Sequence, residues 1–178
     1  MTHSQTSESR DALGITSIER ITLDELESPV VKLGAKYWQS LRGTKRFPSR
    51  RELRPREFAS ILRNTLLVRV IDGGADFEFR IVGEEQARTY ALPFAGKRLS
   101  EFAPSDVAYC YALKGLFGHV AEHGEPVAVR GTMGNASANV QFAYCESLFL
   151  PLGESGGAVD HLLGFSAYVP RSVVNNAK

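Results

Sequence analysis

The clearest hydrophobic pattern in the chain lies between Asn64 and Gly83. Residues Leu66–Ile71 form a short apolar run rich in branched side chains, interrupted only by Arg69. In the segment that follows, Phe77 and its apolar neighbours alternate with charged residues, which is the period of a half-buried strand. The intervening Asp-Gly-Gly tolerates positive φ, as a tight reversal requires. The pattern therefore predicts a β-hairpin.

Helical periodicity precedes and follows this hairpin. Ser28 can cap a helix over 28–42, with Pro29 at the first helical position and Gly43 at the end. A short helix is expected over 55–63. A long helix is expected over 106–123, where Gly124 and Pro126 stop it. Its apolar stripe comprises Val107, Cys110, Tyr111, Leu113, Leu116, Phe117 and Val120.

Three further strands are predicted over 126–133, 140–152 and 161–169, separated by turn-forming residues. The order of hairpin, helices and three strands predicts an α+β fold, with a single five-stranded antiparallel sheet and the inserted helices on one face. The middle strand of the three is apolar on both parities, so the other face also needs a cover. Either the N-terminal helix or a second subunit can supply it.

The predicted organisation is one domain. Residues 1–14 are polar and are expected to form a disordered tail, and 15–63 an N-terminal helical flank with a basic connector. Within that flank, 15–27 is expected to be a strand or a short helix. Residues 64–170 form the predicted core, and 171–178 a short C-terminal tail.

Composition adds few constraints. The chain has 178 residues, 43% apolar and 23% charged residues, and a net charge of +1, which is ordinary for a soluble domain. No signal peptide or membrane-spanning run is evident, so we expect a cytoplasmic protein without membrane contact. Cys110 and Cys145 each lie in an apolar run, which favours buried, reduced thiols over a disulfide.

Residues 42–56 are strongly basic, with seven Arg or Lys against Glu52 alone. This run suits either a phosphate-binding patch for nucleotide or nucleic acid, or a solvated connector whose arginines pair with carboxylates elsewhere. The neutral charge of the whole chain and the lack of stacking aromatics beyond Phe47 favour the connector.

No catalytic constellation is evident. The chain lacks a Gly-x-Ser-x-Gly elbow and a phosphate-cradling glycine loop. His119 and His123 are one helical turn apart, a spacing that can hold zinc or haem, but no third ligand accompanies them. Neither cysteine has the sequence setting of a flavin photosensor. Haem, zinc and flavin are therefore each disfavoured, and the sequence does not identify any other cofactor.

Several short blocks carry a resemblance to a known family. They are Tyr37-Trp38-x-x-Leu41-Arg42-Gly43, Pro48-x-Arg50-x-x-Leu53-x-Pro55, Asp76-Phe77-x-Phe79-Arg80-Ile81-x-Gly83, Gly96-x-x-Leu99, Gly124-x-Pro126, Pro151-Leu152 and Leu163-Gly164. In this order and spacing the chain resembles the bacterial stand-alone PAS domains long classed as a domain of unknown function. The resemblance spans about residues 30–170. It implies that the strand over 66–71 is central in the sheet and that the strand over 77–82 is at its edge.

The resemblance also implies a function. PAS domains enclose a ligand cavity between sheet and helices, and their N-terminal helix often mediates dimerisation. We therefore expect a cytoplasmic signalling adaptor without its own output domain and without enzymatic activity. It would form a homodimer, bind a small ligand and contact a signalling protein. The alternative is a dimerisation or interaction module with a packed core and no ligand. An isomerase-like cone and a nucleic-acid reader are less consistent with the pattern.

Two groups of residues are predicted to carry these roles. The predicted ligand pocket comprises Arg80, Tyr111, Phe117, Arg130, Phe142 and Tyr144, a set suited to an anionic or carboxylate-bearing molecule. The parity of Arg80 opposes that of Phe77, which favours a solvent-facing side chain instead. The predicted dimer or partner surface comprises Leu33, Tyr37, Trp38 and Leu41, although core packing is the alternative for the two aromatic residues.

Overall fold

A computed structural model describes residues 15–89, 93–102, 107–133, 142–154 and 156–170. The described strands are β1 (Ile15–Ile21), β2 (Thr65–Ile71), β3 (Asp76–Val82), β4 (Val127–Met133), β5 (Phe142–Leu152) and β6 (His161–Pro170). The α-helices are α1 (Pro29–Arg42), α2 (Glu84–Thr89) and α3 (Val107–His123). Short 3-10 segments occupy Leu23–Glu25, Arg50–Glu52, Pro55–Asn64, Asp72–Gly74 and Leu99–Glu101. Both predicted tails lie outside the described residues.

The strands form one antiparallel sheet in the order β1-β4-β5-β6-β2-β3. The α+β class, the central position of β2 and the edge position of β3 are as predicted. The count of five strands needs correction, because Ile15–Ile21 adds a sixth beside β4. Its isoleucines recur every third residue rather than every second, and its register shifts between Ile15 and Ser17, so the pattern did not distinguish strand from helix.

The predicted hairpin is present between β2 and β3. Its turn, Asp72–Gly74, has three consecutive positive φ angles of 46°, 66° and 105°. Two glycines meet this demand without steric cost, and aspartate is among the residues that tolerate it best. The turn thus fixes the pairing of Ile71 with Asp76. Arg69, the charge in the central strand, is exposed and lies 3.7 Å from Glu78 on β3.

Helix α1 covers one face of the sheet. Of the two covers that the sequence allowed for this face, the N-terminal helix is therefore the one in place. The Ser28 side chain accepts a hydrogen bond from Val31 N, and Pro29 opens the helix. The backbone of Gly34 lies so close to β6 that a Cβ there would be 2.3 Å from the Phe165 ring. Trp38 is 1% exposed and donates a hydrogen bond to Pro151 O at 2.9 Å.

The predicted dimer surface is therefore corrected in part. Tyr37 and Trp38 are buried in the chain's own core, since the side of α1 that carries them faces the sheet. Tyr37 also accepts a hydrogen bond from Arg54 N at 2.7 Å. Leu41 is half-buried against the core, and Leu33 alone among the four is exposed, at 49%.

A buried carboxylate joins the N-terminal flank to the sheet. Glu146 on β5 accepts hydrogen bonds from Glu27 N at 3.0 and 3.1 Å and from Ser28 N at 2.8 Å, at the start of α1. Arg130 on β4 lies 3.2 Å from the Glu146 carboxylate and 3.2 Å from that of Glu27. An anion at a helix N-terminus is electrostatically favourable, so this cluster fixes where α1 begins.

Most of the basic run packs within the molecule. Lys45 pairs with Glu52, Arg46 donates to His123 O, and Arg42 lies over the Trp38 ring. Arg54 donates to the carbonyls of Arg51 and Leu53. The run is thus solvent-exposed and held to its own chain, as the connector interpretation expects, but mainly through carbonyls, since Arg51, at 3.8 Å from Glu154, is its arginine with a described carboxylate contact.

In the part of the chain that the structure describes, no helix is both long and apolar enough to cross a membrane.

Candidate ligand cavity

A cavity of about 80 Å³ lies between α3 and the face of the sheet opposite α1. The sheet is antiparallel, so alternate residues of each strand point to this side. Thus Cys145, Ser147 and Phe149 of β5 line the cavity, whereas Glu146 points to α1. The cavity is formed by side chains from all six strands and from α2 and α3.

The wall is mainly apolar and includes no Asp, Glu, Lys or Arg among the described residues. It consists of Ile18, Leu66, Phe79, Val82, Gln86, Phe94, Ala112, Leu113, Leu116, Val129, Gly131, Cys145, Ser147, Phe149, Ser166 and Tyr168. Ile18 of β1 is partly exposed and therefore lies at the rim. An ionised ligand would lose its hydration here without gaining a charged partner from these residues.

A cluster of phenylalanines lies around one side of the cavity. Phe79 packs against Phe94 and Phe117, with ring centroids 5.0 and 6.3 Å away. Phe117 packs edge-on against Phe77 and Phe149 at 5.4 and 5.1 Å. Such tilted and edge-on pairs are the favoured aromatic arrangements. Phe79, Phe94 and Phe149 of this cluster line the cavity directly, and Phe117 packs behind them.

Three polar side chains of the central strands bond to one another beside the cavity. Ser147 and Ser166 face each other across β5 and β6, and their hydroxyl oxygens are 2.8 Å apart. The Cys145 sulfur bonds to Ser147 and to the backbone of Gly131. Burial raises the pKa of the Cys145 thiol to about 11, although these hydrogen bonds act against the shift. The thiol therefore stays protonated further into the alkaline range than an exposed cysteine does, as expected of a low-dielectric wall.

Gln86 of α2 adds another polar side chain to the wall, and it is 4% exposed. Its side-chain nitrogen donates to Asn64 O at 3.2 Å. Asn64 is in turn held by a hydrogen bond from its side-chain amide to Ser166 O at 2.9 Å. The Gln86 Oε1 atom is buried and has no hydrogen-bond partner.

A sheet of this order with a helix-covered cavity is the architecture expected of a PAS domain. A family model described as PAS domain matches residues 27–167, most of the chain. The chain belongs to the PAS domain family. Searches of the curated proteins and of the solved structures found no significant match.

This PAS cavity does not suit a large cofactor. Pockets that hold drug-sized ligands typically measure about 300–1,000 Å³, several times the volume found here. Neither haem nor flavin fits the described cavity. His119 and His123 stack at 4.1 Å on α3, and the His123 ring donates to His119 O at 3.0 Å. Within the described ranges, no group of three or more His, Cys, Asp or Glu could hold a metal ion.

The structure does not bring the six predicted pocket residues together. Arg80 is exposed on the edge strand and pairs with Glu78 at 2.7 Å, as its strand parity indicated. Tyr111 is 78% exposed, because it lies on the solvent side of α3. Phe117 is fully buried in the phenylalanine cluster behind the cavity wall. The side chain of Phe142 lies outside the described residues.

Arg130 and Tyr144 lie on the wrong face for the predicted pocket. Arg130 bonds to Glu146, which faces α1, and the two residues are paired across β4 and β5. Tyr144 has the same parity as Glu146 and is half-buried; burial raises the pKa of its hydroxyl, while the positive charge of Arg130 acts in the opposite direction. The predicted cationic pocket for a carboxylate ligand is thus replaced by an uncharged one.

The cavity residues missed from the sequence are the small and neutral ones. Ser147 and Ser166 look like ordinary strand residues, and Gln86 like a surface residue of a short polar helix. Strand alternation could have identified Ser147, since it shares the parity of Cys145 and Phe149. No local signal could have identified Gln86, whose burial depends on the packing of α2 against residues 55–64 and β6.

Proposed function

We propose that this PAS domain senses a small molecule in the cavity between α3 and the sheet and reports its presence to a protein partner. The observation that carries the proposal is the partly open, mainly apolar cavity with a few fixed polar groups on its wall. Binding sites for small molecules commonly have this composition. The protein would act by binding rather than by catalysis, because the Ser147 and Ser166 hydroxyls bond to each other and not to a base.

Helix α3 is suited to transmit the state of the cavity. Ala112, Leu113 and Leu116 contact the cavity, whereas Tyr111 on the same helix is exposed to solvent. A ligand that moves the inner face of the helix also moves its outer face, where a partner can detect the change. A ligand can shift the population of two such states only by binding one of them more tightly.

We propose the cytoplasm as the site of action, since Cys110 and Cys145 are not joined by a disulfide and a reducing compartment preserves such thiols. We also propose a homodimer. Its interface would not include Tyr37 or Trp38, which are buried, but can include the exposed Leu33 on α1.

Native mass spectrometry of the protein as purified tests both parts of the proposal. The Ala112→Phe variant fills the cavity, and the Ala59→Phe variant adds the same group at an exposed position outside it. We expect a small retained mass in the wild type and in Ala59→Phe, and none in Ala112→Phe. The same spectra give the oligomeric state. Spectra without a retained mass in the wild type, or with the same retained mass in all three proteins, would contradict ligand sensing.

One observation favours the alternative of a ligand-free interaction module. The cavity is only about half the size of the ~150 Å³ engineered cavity that holds benzene, and phenylalanines fill the space beside it. In that case Ala112→Phe would fill a functionless void and leave partner binding intact. If Ala112→Phe abolishes partner-dependent signalling and Ala59→Phe does not, the sensor proposal is favoured instead.

A further inference from the structure

Gln86 lines the cavity and carries a buried hydrogen-bond acceptor without a partner, and this acceptor indicates what kind of molecule the cavity takes. The orientation of the amide is fixed by its neighbour. Asn64 O can only accept a hydrogen bond, so the nitrogen of Gln86 must face it and the oxygen must point away. The Gln86 side chain lines the cavity, and its oxygen has no hydrogen-bond partner.

An amide oxygen buried without a partner is unfavourable, and most buried polar atoms in proteins are bonded. The Gln86 oxygen receives no hydrogen bond from the other polar groups on the wall. Ser147 and Ser166 bond to each other, and Cys145 bonds to Ser147. The free acceptor is therefore complementary to a ligand that supplies an N–H or O–H donor.

The position of Gln86 is set before a ligand arrives. Helix α2 is joined to the preceding segment by Glu85, which pairs with Arg63 at 2.7 Å. Asn64, which holds the Gln86 nitrogen, is itself bonded to Ser166 O on β6. A ligand would thus meet an acceptor that needs little reorganisation, which lowers the cost of binding.

The charge of the ligand follows from the wall. None of the described lining residues is Asp, Glu, His, Lys or Arg, and the burial that raises the pKa of the Cys145 thiol also disfavours an ionised ligand. The volume of about 80 Å³ limits the part of the ligand inside the cavity to a few heavy atoms.

We propose that the cavity binds a small, uncharged, mainly apolar molecule, or an apolar group of that size, that donates a hydrogen bond to Gln86 Oε1. This inference rests on the proposed sensor function and adds the chemical class of the ligand. The class includes small N–H heterocycles, alcohols and amides, and it excludes the carboxylates for which the sequence had suggested an arginine pocket.

Pyrrole and furan make a matched pair of probes. Both are uncharged five-membered rings of nearly the same size, but only pyrrole has an N–H donor. Dissociation constants for the two are measured by NMR titration of the full chain, from the shifts of cavity-lining resonances. We expect wild type to bind pyrrole about tenfold more tightly than furan, which corresponds to about 1.4 kcal/mol.

Two variants identify the acceptor. Gln86→Met keeps the length and volume of the side chain but removes the oxygen. In this variant the dissociation constants for pyrrole and furan should therefore become nearly equal. Gln39→Met makes the same change at an exposed glutamine of α1 outside the cavity and should leave the preference unchanged. If the preference survives in Gln86→Met, or is lost equally in Gln39→Met, the role assigned to Gln86 is wrong.

Gln86→Met also loses the hydrogen bond to Asn64 O and can be unstable. A second measurement on the unmodified protein covers this case: the side-chain amide resonances of Gln86 should shift with pyrrole and not with furan. Equal binding of both probes by the wild type overturns the ligand class and leaves the sensor proposal standing. If neither probe shifts the cavity resonances, both proposals fall.

Discussion

The buried carboxylate of Glu146 joins the start of α1 to strands β4 and β5. It is 1% exposed, accepts three hydrogen bonds from the backbone that leads into α1, and pairs with Arg130. A buried charge is tolerated only when it is paired and hydrogen-bonded in this way. The contact also couples β5, whose other face lines the cavity, to the N-terminal flank.

We predict that Glu146→Ala lowers the free energy of unfolding by about 3 kcal/mol, because two backbone N–H groups and Arg130 lose their partner. For a chain of this length the melting temperature should fall by roughly 6–12 °C. Glu154→Ala is the control: its carboxylate is exposed, lies 3.8 Å from Arg51 and accepts an exposed hydrogen bond from Ser49 Oγ at 3.0 Å, so the change should be within about 0.5 kcal/mol. Equal melting temperatures for the two variants would show that the cluster contributes little.

Cys145 gives a prediction about pH. Its pKa is about 11 in the folded chain and about 8.5 for an exposed thiol, so the unfolded state loses its proton first as the pH rises. The stabilisation is complete below pH ~8.5 and is lost as the pH rises towards the folded value, at up to about 1.4 kcal/mol per pH unit. Urea unfolding at several pH values measures this slope.

The matched variant for this measurement is Cys145→Ala, which should lose less stability than the wild type between about pH 8.5 and 10.5. Other groups that titrate at alkaline pH contribute to both proteins and cancel in the comparison. If the free energy of unfolding falls with pH by the same amount in both proteins, the Cys145 thiol titrates like an exposed one.

At the scale of elements, the packing of α1 on β6 determines which residue the helix can accept at position 34. Glycine in a helix normally costs about 0.5–1 kcal/mol relative to alanine. Gly34 is an exception in its setting, because a Cβ there would overlap the ring of Phe165, which is fully buried and has no room to move. The close approach of helix and sheet thus outweighs helix propensity at this position.

We predict that Gly34→Ala destabilises the protein by about 2 kcal/mol, the usual range for an overpacked core. Gly115→Ala in α3 should have the opposite sign and stabilise by about 0.5–1 kcal/mol, since nothing lies within 4 Å of its Cβ position. Urea denaturation of both variants compares the signs. A stabilised Gly34→Ala variant would show that α1 is not held as closely to β6 as described.

The elements were predictable to different degrees. The β2–β3 hairpin and α3 follow from local residues: a two-glycine turn with strand alternation, and a long apolar stripe closed by Gly124 and Pro126. Strand β1 was not distinguishable from a helix, because it is defined by its pairing with the exposed edge of β4 and not by its own pattern.

For the whole molecule, the charge distribution decides whether nucleic acid is a partner. The net charge is +1, and the described contacts of the basic run are mostly with carboxylates and carbonyls of the same chain. Counterion release from phosphates would require several unpaired cations on one surface.

We therefore predict that the protein elutes from heparin below about 0.15 M NaCl, and that charge reversal at the exposed Arg50 and Arg56 does not change its elution. Retention to much higher salt that is lost in the charge-reversed variant would instead identify a nucleic-acid surface. The chromatogram of each protein against a salt gradient is the measurement.

The sequence by itself determined the class of the fold, the hairpin at its centre and the family, because these follow from local periodicity, turn chemistry and the order of short motifs. It did not determine which side chains meet. Trp38 looked available for a partner but is buried, and Arg130 looked suited to a ligand but holds Glu146. The tertiary structure alone decided these roles, and it alone placed Gln86 at the cavity. The face on which a side chain lies depends on strand register and helix docking, which involve residues far apart in the chain.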